Sequence, residues 1–410
     1  SIKDITGVFI PSIHTENDVI KKAVIKDMEN VEYPINFVVP NTEIVQNRIS
    51  LELFRGCSRG CRFCQAGYIY RPVREKSADK LLKIAKESIK ATGLNDITLS
   101  SLSTSDYSQF QKLTTSLIDI CDKDKIGLSL PSLRIDTVNL DVLNKVQAVR
   151  KSSLTFAPEA GSQRLRNVIN KNITEEEILN GCKIAFESGW NTVKLYFMIG
   201  LPTETFEDLS QIVTLANKIV DLYYSLPREK RNGKCTVTVA TSTFVPKPHT
   251  PFEWFGQNTL DKIELKQQFL KDNLKNKSIK YSWHNPQVSR LEALVSRGDD
   301  KVCDIIYEAF KNGAKFDSWE EYLNVDAWEK AAEKLNINIS DYANKEYDLD
   351  YKFKWDNIMH GVTKEFLKRE YNKAIKEETT LNCQKNCSAC GVTQITECNF
   401  LNKFKLKKGE

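Results

Sequence analysis

From about residue 48 onward, short runs rich in β-branched and aromatic residues alternate with longer amphipathic stretches, and this alternation restricts the fold more than any other feature of the chain. Strands are expected at 50–54, 96–100, 126–131, 152–157, 192–199 and 235–244, and helices at 77–92, 107–123, 139–147, 174–188 and 205–224. LLKIAKESIKATG has the apolar spacing of one buried helix face and stops at Gly93. ITEEEILNGCKIAFESG opens with Thr174 three residues before Glu177, a capping box, and stops at Gly189. Such a series makes a parallel sheet whose loops after the strands' C-terminal ends carry the site. Six units are too few for the eight of a closed barrel, so an open partial barrel or a doubly wound sheet is expected.

The eleven cysteines are unevenly spread. Cys57, Cys61 and Cys64 form a C-x3-C-x2-C run directly after the first expected strand, and Cys383, Cys387, Cys390 and Cys398 crowd the C-terminal end. Such clusters, in a chain without a secretion signal, favour metal over disulfides. Full ligation of a cubane takes four thiolates, so three leave one iron open. Gly56, Gly60 and Gly67 let the chain wrap a bulky ligand, and Arg55, Arg59 and Arg62 add charge that favours thiolate. A closed zinc site wants a fourth ligand that this segment lacks. The scattered Cys121, Cys182, Cys235 and Cys303 read as buried small hydrophobes.

The first loop, with Phe63 before its last cysteine and a βα series behind it, resembles the radical S-adenosylmethionine (SAM) superfamily. That resemblance implies an α/β fold, a partial (βα)6 barrel with a mainly helical C-terminal accessory region. It also implies a 4Fe-4S cluster on Cys57, Cys61 and Cys64, whose open iron chelates SAM and whose electron breaks the sulfonium bond to give a 5′-deoxyadenosyl radical. In SSLSTSDY, Ser101 and Ser103 stand where the family usually places an acid for the SAM amino group. APEAGSQRLR makes Glu159 the candidate for that group, and SLRIDT offers Arg134 for the SAM carboxylate or ribose. Ile199 in VKLYFMIGLPTET and Val245 in TFVPKPHTPFEW are expected beside the adenine, with Lys194, Tyr196 and His249 toward the substrate. The resemblance is nearest to an uncharacterised group of radical SAM proteins with an upstream cobalamin-binding-like domain. That domain and an Asp-x-His-x-x-Gly cobalamin signature are both missing from this sequence, which also has no initiator Met and reads as a processed or truncated chain.

Three segments follow: a lead-in over 1–47, the barrel over 48–275, and a helical extension over 276–410 that carries the second cysteine group. That group can hold a second 4Fe-4S cluster, hold zinc, or belong to an adventitious tail. KSIKYSWHNPQVSR (277–290) reads as an amphipathic linker or as an RNA-contacting stretch. The net charge of +5 against 59 basic and 54 acidic residues does not demand a polyanionic partner. No run reaches the roughly 20 apolar residues of a membrane span, so a cytoplasmic protein is expected. The family's relatives include RNA methylthiotransferases and methyltransferases of small molecules. Radical modification of an unactivated carbon is the expected reaction, with methyl or methylthio transfer to RNA or a small molecule as one form of it, driven by a reductant such as flavodoxin or ferredoxin and with cobalamin as a further cofactor through an upstream domain. The competing expectation is a non-catalytic iron-sulfur or zinc-binding interaction module.

Overall fold

The computed structural model describes residues 2–130 and 154–400. Arg134 and the helix expected at 139–147 lie outside the described residues. Strands β1 (Ile49–Glu52), β2 (Asp96–Ser100) and β3 (Gly127–Ser129) form one parallel sheet in that order. Strands β4 (Leu154–Glu159), β5 (Thr192–Ile199), β6 (Thr236–Thr243) and β7 (Ile279–Trp283) form a second, also parallel throughout. The expected α/β partial barrel with a helical C-terminal part is therefore the observed fold.

Strands β1, β2, β4 and β5 bury alternate residues, as a two-residue period requires. Val193, Leu195, Phe197 and Ile199 of β5 share a core with Ile178, Cys182 and Phe186 of helix Glu175–Glu187 and with Leu215, Ile219 and Tyr223 of helix Phe206–Ser225. Burying side chains of this size stabilises by about 1.5–3 kcal/mol each. The other face of β5, with Lys194 and Tyr196, is left for the lumen, and Tyr196 is 41% exposed. A second core joins Ile49, Leu51, Ile97 and Leu99 to Leu81 and Ile84 of helix Ala78–Thr92 and Leu113 and Leu117 of helix Phe110–Asp124. The caps are those the sequence signals: Gly93 ends its helix at φ +70, and Thr174 and Glu177 complete a reciprocal capping box.

The sheet runs past the six strands expected. Ile279–Trp283, read from sequence as a linker or RNA-contacting stretch, pairs parallel with β6, and helix Pro286–Arg297 follows it at once. Of this strand only Ile279 is buried, so its lysine and polar residues suit an exposed sheet edge and hide the strand period. Helix Leu260–Asn273 precedes it and buries Lys266 and Gln267 beside Ile263 and Leu270, a mixed face without a clean apolar stripe. Cys121, Cys182 and Cys235 are buried as expected, whereas Cys303 is exposed: it lies on helix Lys301–Lys311, whose apolar face is carried by Val302, Ile305 and Ala309 instead. Helices Val325–Lys334 and Lys364–Ile375 confirm the helical patterns of the extension. The lead-in is irregular, but its Ile20–Lys21 pairs parallel with Ile358–Met359 of the extension. Among the described residues no helix is long and apolar enough to cross a membrane.

Candidate functional site

The cysteine loop begins just after β1, beyond a short antiparallel pair formed by Phe54–Arg55 and Arg74–Glu75. Gly56 turns the chain at φ +93, and a Cβ there would stand 2.5 Å from the Pro72 carbonyl oxygen, so only glycine fits. Cys57, Cys61 and Cys64 follow as half-buried free thiols. The loop is tied to the mouths of other strands. Arg59 binds Asp106 after β2 through Nε at 2.8 Å, and Asn170 donates to the Gly60 carbonyl at 2.9 Å. Gln65 donates to the Pro248 carbonyl after β6 at 3.1 Å.

The three arginines do not act as a free positive field. Arg55 pairs with Glu52, Arg59 with Asp106, and the fully buried Arg62 with Glu370 at 3.1 Å. With those charges spent, burial dominates: it pushes the Cys57 thiol up to about 12, with Cys61 adding to the rise, and raises Cys64 for the same reasons. At Cys57 and Cys64 burial therefore favours the thiol, and a metal that binds there must displace the proton.

Around the cysteines the structure gathers some expected residues and separates others. Glu159 ends β4 at φ +67 and bonds Lys171 at 3.1 Å. Lys171 in turn lies within the electrostatic reach of Cys64. Non-glycine residues at positive φ are uncommon, and Glu159, Asn170, Asn172, Thr203 and His249 all carry such strain near the strand ends. Ser101 bonds Thr104, and the buried Ser103 donates to Asp106 at 2.7 Å. The acid that the sequence reading missed on this loop is thus Asp106, in the same SSLSTSDY stretch, and its field reaches Cys57. Phe63 packs beside Leu165, Val168, Phe244 and Phe252. Lys194 covers the Tyr196 ring at 4.8 Å on the lumen face. Ile199 is fully buried on the opposite, helix-packed face of β5, and Val245 packs against Ala293 and Ala343 of the extension. The side chains of both, expected beside the adenine, point into protein core instead, because alternation along β5 and the docked extension take them there.

His249 follows Pro248 in the loop after β6 and packs against the extension. Its ring meets His360 edge-on at 4.3 Å, and its backbone donates to Glu253, which Lys364 and Trp355 also hold. Burial pulls His249 down to about 4, helped by Lys364, and His360 down to about 3, helped by His249 and Lys22. Lys22 of the lead-in donates to the carbonyls of Ile69 and Arg71, on the segment that leaves the cysteine loop. The second cysteine group docks on the same loop, where Cys383 donates its N–H to Ser58 O at 2.9 Å. Burial raises the Cys383 thiol, and Cys390, Cys398 and Cys387 push it the same way despite the opposing Arg71. Among the described residues no three His, Cys, Asp or Glu side chains stand in the geometry that holds a metal ion. Ligands of one zinc ion at about 2.3 Å stand within about 4 Å of one another. Thiolates bound to different irons of a cluster are spread more widely.

A parallel partial barrel with three free thiols in the loop after its first strand defines a class of α/β protein with a thiol-bearing loop at the C-terminal mouth. The family model described as the Radical SAM superfamily matches residues 51–216, so this region, which carries the cysteine loop, is of that enzyme family. The chain is 33% identical over 299 residues to an uncharacterised protein of Methanocaldococcus jannaschii, covering 73% of this chain and 62% of the relative. It is 22% identical over 233 residues to the tRNA-2-methylthio-N(6)-dimethylallyladenosine synthase of Clostridium beijerinckii, covering 55% and 50% of the two. The chain thus spans less than two thirds of the length of these curated relatives. Among solved structures it resembles the cobalamin-dependent S-adenosylmethionine radical enzyme OxsB with aqua-cobalamin and S-adenosylmethionine bound, at 13% identity and a TM-score of 0.37, over 88% of this chain and 55% of that one. Membership of the superfamily implies a 4Fe-4S cluster and SAM.

Proposed function

We propose that Cys57, Cys61 and Cys64 hold the 4Fe-4S cluster and that the chain uses it to cleave SAM reductively, for methyl or methylthio transfer to a carbon of an RNA or a small molecule. The observation that carries this reading is three free thiols on a glycine-turned loop, tied to the loops after β2 and β6, within the matched region. The donor set fits the group, since thiolates are the ligands of such clusters and three leave a site for SAM. When bound, the cluster supplies the electron that breaks the sulfonium bond, received from a reductant such as flavodoxin or ferredoxin.

The chain's own residues do the rest. Glu159 and Lys171, the latter within the electrostatic reach of Cys64, form a negative-positive pair matched to the ammonium and carboxylate of the methionyl end of SAM. Arg59 and Asp106 fix the cysteine loop against the loop after β2. Lys194 and Tyr196, on the face of β5 turned away from the helices, are the residues assigned to the substrate, Lys194 as a cation and the 41% exposed Tyr196 as a stacking surface. The printed name of the Clostridium relative places its own action on tRNA, which supports RNA as one acceptor.

Anaerobic reconstitution followed by incubation with SAM and dithionite tests the reading. The wild-type chain should form 5′-deoxyadenosine, and replacing Cys57, Cys61 and Cys64 together by Ala should abolish it. Undiminished product from the triple variant would overturn the assignment. Incubation with tRNA and with small-molecule acceptors then identifies the substrate from the modified product.

A further inference from the structure

The second cysteine group lies on a tail with little regular structure, yet its four sulfur-bearing residues come together. Cys383, Cys387, Cys390 and Cys398 all line one cavity of about 60 Å³, together with Val392 and Phe400. All four are free thiols. The local chain is shaped for this convergence. Ala389 and Gly391 both take positive φ on either side of Cys390, whose carbonyl accepts from Thr363 N at the start of helix Lys364–Ile375.

The size of the space separates the two metals that four thiolates can hold. A single water needs about 10–15 Å³ of such space, so this cavity has room for several. Four thiolates closed on one zinc ion at about 2.3 Å leave no room of that kind between them. A cluster ligated by four cysteines fills it with iron and sulfide.

A buried cation gives a second, independent indication. Arg71 is 4% exposed and donates from Nε to Gly67 O at 2.9 Å and from Nη2 to Arg59 O at 3.1 Å, both on the first cysteine loop. Its remaining nitrogen, Nη1, has no hydrogen-bond partner among the described residues. The guanidinium lies over the Tyr68 and Phe366 rings, at 5.2 and 5.5 Å, with Cys383 and Cys390 within its electrostatic reach. A buried charge without a counter-charge is costly, and an anionic thiolate-bound cluster supplies one.

We propose that Cys383, Cys387, Cys390 and Cys398 ligate a second iron-sulfur cluster, seated against the first cysteine loop and neutralised by Arg71. This site stands apart from the SAM chemistry, because none of its ligands belongs to the first loop. The full-length variant with Cys57, Cys61 and Cys64 replaced by Ala, reconstituted anaerobically with ferrous iron and sulfide, tests it. That variant should retain about four irons and four sulfides per chain, as a cubane requires, and show a cluster signal by electron paramagnetic resonance after reduction. Adding Cys387→Ser, at an exposed position, and Cys398→Ser should remove that iron while circular dichroism stays unchanged. Arg71→Gln in the triple-alanine background should shift the midpoint potential of the retained signal, which a merely structural arginine would leave in place. An iron-free triple variant, or one that takes up a single zinc in place of iron, overturns the proposal. Either result is readable whether or not the chain cleaves SAM.

Discussion

Arg62 sits between Cys61 and Cys64 and is fully buried, and its guanidinium serves Glu370 and the carbonyls of Asn167, Val168 and Glu378. The sequence shows a cation beside the cysteines; only the fold shows that its charge is spent on a helix some 300 positions away. Breaking this pair from one side takes the closest cation from the buried Glu370 carboxylate and leaves Lys373, at 3.5 Å, and the Thr380 hydroxyl to hold it. Arg62→Met should therefore cost about 3–5 kcal/mol by chemical denaturation, with Glu370→Gln in addition recovering part of it. At Glu159 the backbone strain at φ +67 and the Lys171 pair both fix the carboxylate, and Lys171 is within the electrostatic reach of Cys64. Glu159→Gln should weaken SAM binding about ten-fold in calorimetric titration, the size of a lost charge-assisted bond. A Ser101→Ala variant should change binding less, because that hydroxyl is already bonded to Thr104. The cysteines and Glu159 were legible in the sequence because their chemistry is local to short motifs. Asp106, Lys171 and Arg71 were not, since a lone charged residue carries no signal until the fold places it beside a cysteine.

At the scale of elements, the loop after β6, the Ile358–Met359 strand and the lead-in meet at the His249–His360 pair. The groups facing this pair are Lys22 from the lead-in, Lys364 from the extension's last helix and Glu253 from the β6 loop. Both imidazoles have folded pKa values, about 4 and about 3, below the 6.5 of the free group. Between those limits the unfolded chain binds more protons than the folded one, so stability is full above pH 6.5 and is lost progressively as pH falls toward 4. The melting temperature should drop by several degrees over that window, and His360→Gln should flatten the dependence. An unchanged slope in the variant would place the acid lability elsewhere. The same elements show where periodicity succeeds and fails. Helices Ala78–Thr92 and Glu175–Glu187 were readable from an apolar stripe and a capping signal at the end. The edge strand Ile279–Trp283 buries one residue and helix Leu260–Asn273 buries a lysine and a glutamine, so neither announces its period.

Over the whole molecule, the extension is fastened to the barrel at the site rather than behind it. Arg62 with Glu370, Glu253 with Lys364 and Trp355, Asn172 with Thr380 and Cys383 with Ser58 all join the two. Ties of this number across buried groups couple the parts, so the chain should unfold in one calorimetric transition, and Glu370→Gln should lower that transition as a unit rather than split off an early one. The sequence by itself determined the α/β alternation, the C-terminal placement of the loops and the three-cysteine motif, because each depends on spacing within one or two turns of chain. The tertiary structure alone decided that Ile199 and Val245 face core, that three arginines are neutralised, and that four distant cysteines share one cavity against the first loop. Those outcomes depend on which buried charge finds which partner and which face an extension covers, and such pairings join residues that no local pattern connects.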